Sequence, residues 1–405
     1  MKIAVIGAGA AGLLASGTAA LQGNSVYLFE KNEKPGKKIY ITGKGRCNVT
    51  NLCSPQDFLS NVVGGKKFLT GAIYSFTPEM LVELINQNGV ATKVERGNRV
   101  FPLSDKSSDI IKALERYAVS AGARLIYEKV NKIVKNEDEF TVSTDCADYT
   151  FDKVILACGG VSYPLTGSTG DGYEFARRFG HTVTKLRPAL APVLLKQNVK
   201  GLEGLSLKNV NVSVTVAGKT FSEFGEMLFT ANGVSGPVVL TLSSLINSYD
   251  LKTAKLSVDF KPALDEIKLD KRVLSDFEKF KNKQYKNSLS ELMPQKLIDY
   301  FIEYTKIYPD KQVNSITKAE RARIVDALKN MTFDVLGLDD IKRGIVTAGG
   351  VSTAEINPKT MESKLVSGLY FAGEMMDVDA FTGGFNLQIA FSTGYVAGKH
   401  AGGDL

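Results

Sequence analysis

A glycine-rich turn near the N-terminus is the first feature of the sequence whose residue types suit a charged ligand. Three glycines in the order G-x-G-x-x-G follow the β-branched run KIAVI (2–6) directly and open a stretch with small and apolar residues at helical spacing. In a strand–turn–helix unit they permit the turn, the approach of a diphosphate to the backbone, and close helix packing. The unpaired amides of the helix then face the phosphates. The contacts predicted for this turn are Gly7, Gly9, Ala10, Ala11 and Gly12.

A carboxylate stands where such a unit needs one for a ribose. The run SVYLFE (25–30) is predicted to be a second strand ending in Glu30, 18 residues after Gly12. Glu30 and the following Lys31 are predicted cofactor contacts. A carboxylate there accepts hydrogen bonds from ribose hydroxyls and repels a 2′-phosphate. The site is therefore expected to hold FAD or NAD, and not NADP.

The elements that must position these residues favour FAD. Strand-like runs lie at 2–6, 25–30, about 123–129, 154–158 and 369–372. They can form one doubly wound sheet only if the intervening chain is inserted into it. A dinucleotide fold split in this way suits a tightly held FAD better than a diffusible NAD. We therefore predict an α/β protein with a doubly wound, FAD-binding Rossmann-like domain and an inserted β-barrel-like plus helical substrate domain.

Periodicity divides the insertion into two parts. From about 187 to 260, short β-rich runs alternate with glycine and asparagine turns, whereas 263–329 is lysine-rich with apolar residues at helical spacing. We therefore predict that the chain has three parts: a discontinuous FAD-binding domain (1–187 and 340–405), a β-rich inserted domain (188–262 and 330–339) and a helical cap subdomain (263–329).

Composition narrows the chemistry. Among 405 residues with a net charge of +7 there are only two histidines and four cysteines, and the cysteines form no CxxC pair. Most zinc sites, nucleophilic triads and proton relays use these residue types, so we expect no metal and a reactive group borrowed from a cofactor. With no cleavable signal and no apolar run of about 18 residues, a reducing cytoplasm and no membrane association are expected.

Longer motifs resemble a known family. They are GKKIYITGKGRCNVTN (36–51), LACGGVSYPLTGSTGDGYEFA (156–176), FTANGVSGPVVL (229–240), VTAGGV (346–351) and TMESKLVSGLYFAGEMMDVDAFTGGFNLQIAFSTGYVAG (360–398). Together they resemble the bacterial BaiN/YhiN-type flavoprotein family over nearly the whole chain, weakly only between about 241 and 335. The resemblance implies an FAD-binding oxidoreductase. Members include 3-dehydro-bile-acid Δ4,6-reductases and aminoacetone oxidases.

The resemblance also implies that Arg46, Cys47 and Asn48 lie beside the ribityl chain or the isoalloxazine ring. Gly45 beside them indicates a close backbone approach. The stretch 31–46 carries a net charge of +5, which suits an anionic diphosphate. Cys47 has no CxxC partner, so we expect it to pack or to contact the flavin rather than to act as a redox thiol.

Further cofactor contacts are expected after the later strands. The backbone of Val130 is placed to read the adenine edge, although a core valine is nearly as good an interpretation. Ala157 and Gly159 are small enough for the chain to pass the cofactor. Many flavoproteins end the last strand in Gly-Asp, whereas this chain has Gly373-Glu374 followed by Asp379. Which acid holds the ribityl hydroxyls stays open, with Glu374 first and Asp379 second. The residues predicted to bind at the start of the final helix are Gly384, Asn386, Gln388 and Ile389.

No catalytic acid or base is assigned. Tyr163 is a candidate proton donor, His181 is expected at the surface, and His400 is expected to be a charge at a helix end. Hydride is expected to pass between flavin N5 and a small organic substrate. One interpretation is an enone reductase that takes NAD(P)H as a transient donor. The alternative is an amine or aminoketone oxidase.

A flavin-containing RNA-associated protein is a third interpretation, because 251–330 carries 17 basic and 12 acidic residues. The basic residues are interspersed with acids, and no aromatic stacking motif is present. A small-molecule partner is therefore expected and nucleic acid is not. The sequence makes no prediction of the oligomeric state.

Overall fold

The computed structural model describes residues 1–403, with 21 strands, 12 α-helices and short 3₁₀ turns between them. The strands are β1 (Lys2–Ile6), β2 (Ser25–Phe29), β3 (Thr50–Asn51), β4 (Val62–Gly64), β5 (Thr92–Glu95), β6 (Arg99–Pro102), β7 (Arg124–Ile126), β8 (Val130–Asn136), β9 (Glu139–Thr144), β10 (Asp148–Phe151), β11 (Lys153–Leu156), β12 (Arg187–Ala189), β13 (Val193–Leu195), β14 (Ser206–Val216), β15 (Lys219–Thr230), β16 (Gly233–Ser235), β17 (Lys255–Asp259), β18 (Met331–Leu338), β19 (Val346–Ala348), β20 (Leu369–Phe371) and β21 (Asp379–Ala380). The helices are α1 (Ala10–Ala20), α2 (Lys37–Ile41), α3 (Pro55–Ser60), α4 (Lys66–Ser75), α5 (Pro78–Gln87), α6 (Ser107–Ser120), α7 (Asp171–Arg178), α8 (Pro237–Ile246), α9 (Glu266–Lys279), α10 (Gln295–Thr305), α11 (Lys318–Asn330) and α12 (Phe385–Gly402).

A five-stranded parallel sheet, in the order β20-β11-β1-β2-β7, joins the two ends of the chain. In the central strand Val5 pairs with Leu28 on one side and with Ile155 on the other. All three side chains are buried, as expected of a parallel sheet covered on both faces. The five predicted strands are confirmed, and with them the predicted fold class.

Two helices with small residues pack against each other beside this sheet. A Cβ at Gly394 would collide with the carbonyl oxygen of Ala11, and one at Gly398 would collide with that of Ala15. Both helices therefore move four residues toward their C-termini between the first contact and the second, so α1 and α12 run in the same direction. Their backbones touch only because the two α12 residues lack side chains.

Smaller sheets complete this part of the chain. They are β10-β9-β8, β3-β6-β5, β12-β19 and β21-β4. The last of these pairs Asp379 with Gly64 and so attaches the segment before α12 to the chain before α4. Met1–Ala189 together with the chain from Ile341 onward forms one compact unit, which we call the Rossmann unit.

Leu190–Asp340 forms the second compact unit. It contains a closed barrel in the order β13-β16-β15-β14-β17-β18, accompanied by α8 to α11. The predicted barrel and the predicted helices are confirmed. The helix α8 was not predicted, because PVVLTLSSLI is predominantly apolar and its pattern does not separate helix from buried strand. The separation of barrel and helices into two subdomains stays a prediction.

Among residues 1–403, no helix combines the length and the apolar character needed to span a bilayer.

Gly398→Ala tests the contact between α1 and α12. Alanine improves helix propensity by about 1 kcal/mol, but its Cβ would meet the Ala15 backbone, including Cα at 2.9 Å. Overpacking of this kind costs about 1–3 kcal/mol, so we expect a net loss of unfolding free energy in denaturant titrations. Gly71→Ala in α4 is the matched control, since its Cβ finds its nearest neighbour at 3.6 Å and should be stabilising. Equal gains for both variants would contradict the packing.

Candidate functional site

The carboxyl ends of the central strands converge on the turn between β1 and α1. The Gly7 amide donates to the carbonyl of Phe29 at 2.8 Å. A Cβ on Gly7 would lie 2.6 Å from the carbonyl oxygen of Ala157, and a Cβ on Gly12 would collide with Gly7 itself. Ala11 lies close by against Gly373, 3.0 Å from a Cβ placed there. Predicted contacts from three strand ends are thus brought together.

Gly9 differs from its neighbours, because a Cβ there would meet no atom within 4 Å. It is the N-cap of α1, with no side-chain cap and no acid in the first turn. The first amides of α1 therefore keep their donors for a ligand, and the positive end of the helix dipole is not neutralised by the protein. This arrangement suits a phosphate group.

Glu30 lies directly beyond β2 and is buried. One carboxylate oxygen accepts from the amide of Ala8 at 3.0 Å, and the other accepts from the backbone and side chain of Asn32 at 2.8 and 2.6 Å. The carboxylate thus fixes the glycine turn from beneath. Lys31 turns away to Asp171, with Nζ 2.7 Å from the carboxylate.

The turn after α2 is the most strained part of the site. Gly43, Lys44, Gly45 and Cys47 all take left-handed backbone angles, with φ of 58° at Lys44 and 61° at Cys47. Such conformations in residues other than glycine cost free energy and concentrate at ligand sites. A Cβ at Gly45 would again meet nothing within 4 Å, which leaves room beside the turn.

Two side chains in this turn are buried without ionic partners. The Asn48 Oδ1 atom is buried and accepts no hydrogen bond among residues 1–403. Burial raises the pKa of the Cys47 thiol to about 12, although a hydrogen bond with Thr42 opposes that shift. The thiol therefore stays protonated near neutral pH and is unsuited to redox chemistry, as its predicted packing role requires.

Arg46 forms ion pairs with two acids, Glu95 on β5 and Asp105 just beyond β6. Its guanidinium pairs with Glu95, donates from Nε to Asp105 at 2.8 Å, and lies 4.2 Å from the ring centroid of Phe101. Hydrogen bonds to Glu95 and then Asp105 raise the pKa of Arg46 further above its usual range. Its predicted contact with the flavin stays a prediction.

Glu374, beyond the end of β20, is the centre of a polar cluster that the sequence did not indicate. Lys38 Nζ donates to its carboxylate at 2.6 and 2.9 Å, and Ser162 Oγ donates to it at 3.0 Å. The Thr347 amide donates to the same carboxylate at 2.9 Å. Lys38 belongs to the basic stretch 31–46, but only the structure shows that it pairs with the Glu374 carboxylate. Any ribityl hydroxyl bound by Glu374 shares the carboxylate with these donors.

The N-terminus of α12 is shaped by its own side chains. Asn386 Nδ2 donates to the Ala380 carbonyl at 2.7 Å and its Oδ1 accepts from the Ala380 amide at 3.0 Å. Gln388 is fully buried, accepts from Thr50 Oγ1 at 2.7 Å and donates to the Phe76 carbonyl at 3.0 Å. Both side chains therefore hold the helix start in place. The Gly384 N-cap supplies no side-chain cap, so the first amides of the helix keep their donors. The predicted cofactor contacts of Gly384, Asn386, Gln388 and Ile389 stay predictions.

Asp379, in the segment before α12, is only 4% exposed. Its Oδ2 atom has no hydrogen-bond partner among residues 1–403. Burial, reinforced by the charge of Asp377, raises the pKa of Asp379 to about 6, although Arg187 and the Gly64 N–H oppose the shift. The carboxyl is therefore able to carry or release a proton near neutral pH.

Three other predicted residues have contacts that do not assign their roles. Val130 is buried at the start of β8, and Gly159 lies beyond β11 with Ser168 Oγ 3.2 Å from a Cβ placed there. Tyr163 has a left-handed φ of 52°, and its amide donates to the carbonyl of Lys342 at 3.1 Å. The roles predicted for these three residues stay predictions.

The expectation that His181 lies at the surface was wrong. Its ring is buried, with Nε2 2.8 Å from Ser363 Oγ and Nδ1 3.2 Å from Glu355. It packs edge-on against Phe371 in the sheet. Burial lowers the pKa of His181, with the Glu355 charge opposing the shift. No sequence pattern indicated this packing, which arises from residues far along the chain.

These features fit a dinucleotide with a flavin. Two uncapped helix starts, open space at Gly9 and Gly45, and unpartnered buried oxygens at Asn48 and Asp379 all provide room or hydrogen-bonding capacity for a polar ligand. No group of three or more His, Cys, Asp or Glu side chains among residues 1–403 is arranged to hold a metal ion.

Comparisons with known proteins identify the family of this chain. Residues 1–400 match the family described as HI0933-like protein Rossmann domain. The chain is 31% identical to the 3-dehydro-bile acid delta(4,6)-reductase of Clostridium scindens over 411 aligned positions, 99% of this chain and 98% of the relative. It is 32% identical to the ribosomal RNA dihydrouridine synthase of Haemophilus influenzae over 398 positions, 96% of each chain. The Escherichia coli protein of the same name is 30% identical, covering 98% and 96%.

Solved structures show the same fold. A 3-ketosteroid delta1-dehydrogenase from Sterolibacterium denitrificans superposes with a TM-score of 0.54 at 12% identity, covering 100% of this chain and 99% of the other. A 3-ketosteroid-delta4-(5alpha)-dehydrogenase from Rhodococcus jostii gives 0.50 at 14% identity, with 99% and 96% covered. At these identities the likeness concerns the fold alone.

Asp379→Asn tests the buried carboxyl through stability. Because the folded-state pKa of about 6 exceeds the ordinary value of 3.8, ionisation destabilises the fold as pH rises through this range. Asparagine resembles the protonated acid and avoids that loss. We expect the variant to gain on the order of 2 kcal/mol over the wild type at pH 8 and far less at pH 4.5, measured by denaturant unfolding.

Asp138→Asn, at an exposed acid in the turn between β8 and β9, is the control for this measurement. Its effect should be nearly the same at both pH values. A stability difference for Asp379→Asn that does not change with pH would show that the carboxyl titrates normally.

Proposed function

Because the chain belongs to the HI0933-like Rossmann family of FAD-dependent oxidoreductases, we propose that it reduces a carbon–carbon double bond conjugated to a carbonyl group. The single observation that carries the proposal is a buried acid with a raised pKa, Asp379, whose neighbour Ala380 is tied by Asn386 to the uncapped start of α12. Helix amides favour a diphosphate and the negative charge of a reduced flavin. A protonated acid suits a reduction that consumes a proton.

The names of the relatives support the same reaction class. A 3-dehydro-bile acid delta(4,6)-reductase acts on double bonds conjugated to a ketone, and a dihydrouridine synthase reduces a ring double bond conjugated to a uracil carbonyl. The substrates differ greatly in size, but the reacting group is alike. We assign a small-molecule enone as the substrate, with NAD(P)H as a transient donor that reduces the flavin.

In this proposal the residues of the Rossmann unit divide the work of holding FAD. The α1 amides at Gly9 to Ala11 face the diphosphate, Glu30 faces the adenosine ribose, and the α12 amides from Gly384 face the ring. Bound FAD supplies the hydride that adds to the substrate. The protein supplies the binding energy, the orientation and the proton.

A uridine in ribosomal RNA is the second candidate substrate. It is favoured by two relatives that carry the name ribosomal RNA dihydrouridine synthase, at 32% and 30% identity over nearly the whole chain. The basic excess of 251–330 is compatible with a polyanionic partner. Reduction of this uridine requires the same acid and the same hydride source as reduction of an enone.

Gly9→Val tests the diphosphate site separately from the fold. Gly9 has extended angles that valine tolerates, and a Cβ there meets nothing within 4 Å, so the apoprotein should lose no more than about 1 kcal/mol of stability. The added methyl groups fill the space predicted for the diphosphate. FAD affinity, measured by flavin fluorescence titration, should fall at least tenfold.

Gly201→Val, at a second glycine with open space around it, is the control and should bind FAD as the wild type does. Wild-type affinity in Gly9→Val would place the diphosphate elsewhere.

The reaction class is tested by anaerobic reoxidation of the reduced holoenzyme. A conjugated 3-keto steroid should reoxidise the flavin and gain two hydrogens by mass spectrometry, whereas its saturated counterpart and a primary aminoketone should not. Reoxidation by the aminoketone's imine product alone, or by air alone, would favour an oxidase. In a parallel sample, a mass gain of two at uridine in unmodified ribosomal RNA would favour the RNA substrate.

A further inference from the structure

Two groups of opposite charge in the Rossmann unit, the buried Asp379 and the half-buried Arg187, each leave one buried atom unpartnered. Asp379 Oδ2 on β21 and Arg187 Nε on β12 are both inaccessible to solvent and hydrogen-bonded to nothing among residues 1–403. Buried polar atoms are nearly always hydrogen-bonded in folded proteins, so two such atoms in one neighbourhood need a cause. A bound ligand that forms hydrogen bonds with both Arg187 Nε and Asp379 Oδ2 is such a cause.

The two groups influence each other without forming an ion pair. Arg187 lowers the pKa of Asp379, so the guanidinium lies near the carboxyl, yet no nitrogen–oxygen pair between them comes within 4.0 Å in the described chain. A direct salt bridge would satisfy both atoms. Its absence leaves both atoms available to a polar group of a ligand.

Both residues are held in position by neighbouring strands. Arg187 pairs with Ala348 across β12 and β19. Asp379 is fixed by the pairing of β21 with β4, where its Oδ1 faces the Gly64 backbone, and by the Asn386 clamp on Ala380. Rigid mounting of this kind is what a reacting group requires.

The charged groups whose fields reach the Asp379 carboxyl come from two segments. Asp377, on the same segment, raises the pKa of Asp379. The Asp377 carboxylate itself accepts a hydrogen bond from Thr184 Oγ1 at 3.1 Å. Arg187 on β12 opposes it, as does the Gly64 N–H on β4. Asp379 also directly precedes the residues that lead into the uncapped start of α12, where the flavin ring is proposed to lie.

We propose that Arg187 and Asp379 together form the carbonyl-binding and proton-donating end of the substrate site. This inference rests on the proposed function. The Arg187 guanidinium donates to the carbonyl oxygen of the conjugated substrate, and the Asp379 carboxyl is the proton donor to the α-carbon. Asp379 is thereby assigned to the substrate, and the ribityl contact falls to Glu374.

The reaction balances with these two residues. Hydride from reduced FAD forms a C–H bond at the β-carbon, the π electrons move onto the carbonyl oxygen, and Arg187 stabilises the resulting enolate. The Asp379 O–H bond then breaks and its proton forms the second C–H bond at the α-carbon. The saturated ketone leaves, and the carboxylate regains a proton from water.

The test measures the two half-reactions of the holoenzyme separately. Flavin is reduced photochemically without oxygen and reoxidised by a conjugated 3-keto steroid. In Asp379→Asn the reoxidation rate should fall at least 100-fold, while the FAD dissociation constant changes less than threefold. The wild-type rate should fall with pH above about 6, in step with ionisation of the acid, and the variant should lose this dependence. Asp138→Asn, at the exposed acid between β8 and β9, should keep both rate and pH profile.

A binding measurement tests Arg187 without turnover. A para-substituted phenol, which imitates an enolate and accepts no hydride, is titrated against the oxidised holoenzyme and followed by the flavin spectrum. Arg187→Met should weaken its binding at least tenfold, and Arg187→Lys, which keeps the charge, should recover part of the affinity. Both variants are first checked for wild-type thermal unfolding and FAD content.

Several outcomes would overturn the proposal. Unchanged phenol binding in Arg187→Met removes the carbonyl site, and an unchanged rate in Asp379→Asn removes the proton donor. A loss of FAD affinity in Asp379→Asn that matches the loss of rate returns the residue to the ribityl chain. If the wild type reduces no conjugated carbonyl but its phenol binding depends on Arg187, the proposed function fails while the oxyanion site stands.

Discussion

The close contact between α1 and α12 is the constraint on which the rest of the site depends. Gly394 and Gly398 place the backbone of the last helix against Ala11 and Ala15 of the first. Any side chain at these two glycines would separate the helices. Because the helices run in the same direction, their positive ends point toward the same edge of the sheet, and one ligand site is built from both ends of the chain.

The same contact sets the reach of the site. The helix α12 begins nine residues before Gly394, so its start lies about 13 Å beyond the level of Ala11 at 1.5 Å per residue. A diphosphate at one helix start and an isoalloxazine ring at the other are separated by a distance of this order in an extended FAD. The segment between β20 and α12 carries both Glu374 and Asp379. These two acids have opposite environments: Glu374 is surrounded by donors, while Asp379 keeps a free oxygen.

Charge near the site comes more from backbone amides than from lysines. The stretch 31–46 has a net charge of +5, yet Lys31, Lys37 and Lys38 pair with Asp171, Glu33 and Glu374. Arg46 is likewise held by two acids. These pairs reduce the part of the +5 charge that stays available to an anionic ligand, while the uncapped helix starts keep their unpaired amides. This also weakens the argument that the basic stretch alone attracts an anionic partner.

Much of the fold follows from local pattern, and much of the site does not. The sequence by itself determined the strand–turn–helix unit at Gly7 to Gly12, the five strands of the parallel sheet and the barrel, because alternation, glycine spacing and β-branched runs act between near neighbours. It did not distinguish α8 from a buried strand, since a predominantly apolar segment has no strongly polar face to reveal its period. Only the tertiary structure decided that His181 is buried, that Lys38 neutralises Glu374, and that Asp379 and Arg187 approach without pairing. The partners concerned lie between about 170 and 340 residues apart, and no local interaction specifies which of them meet.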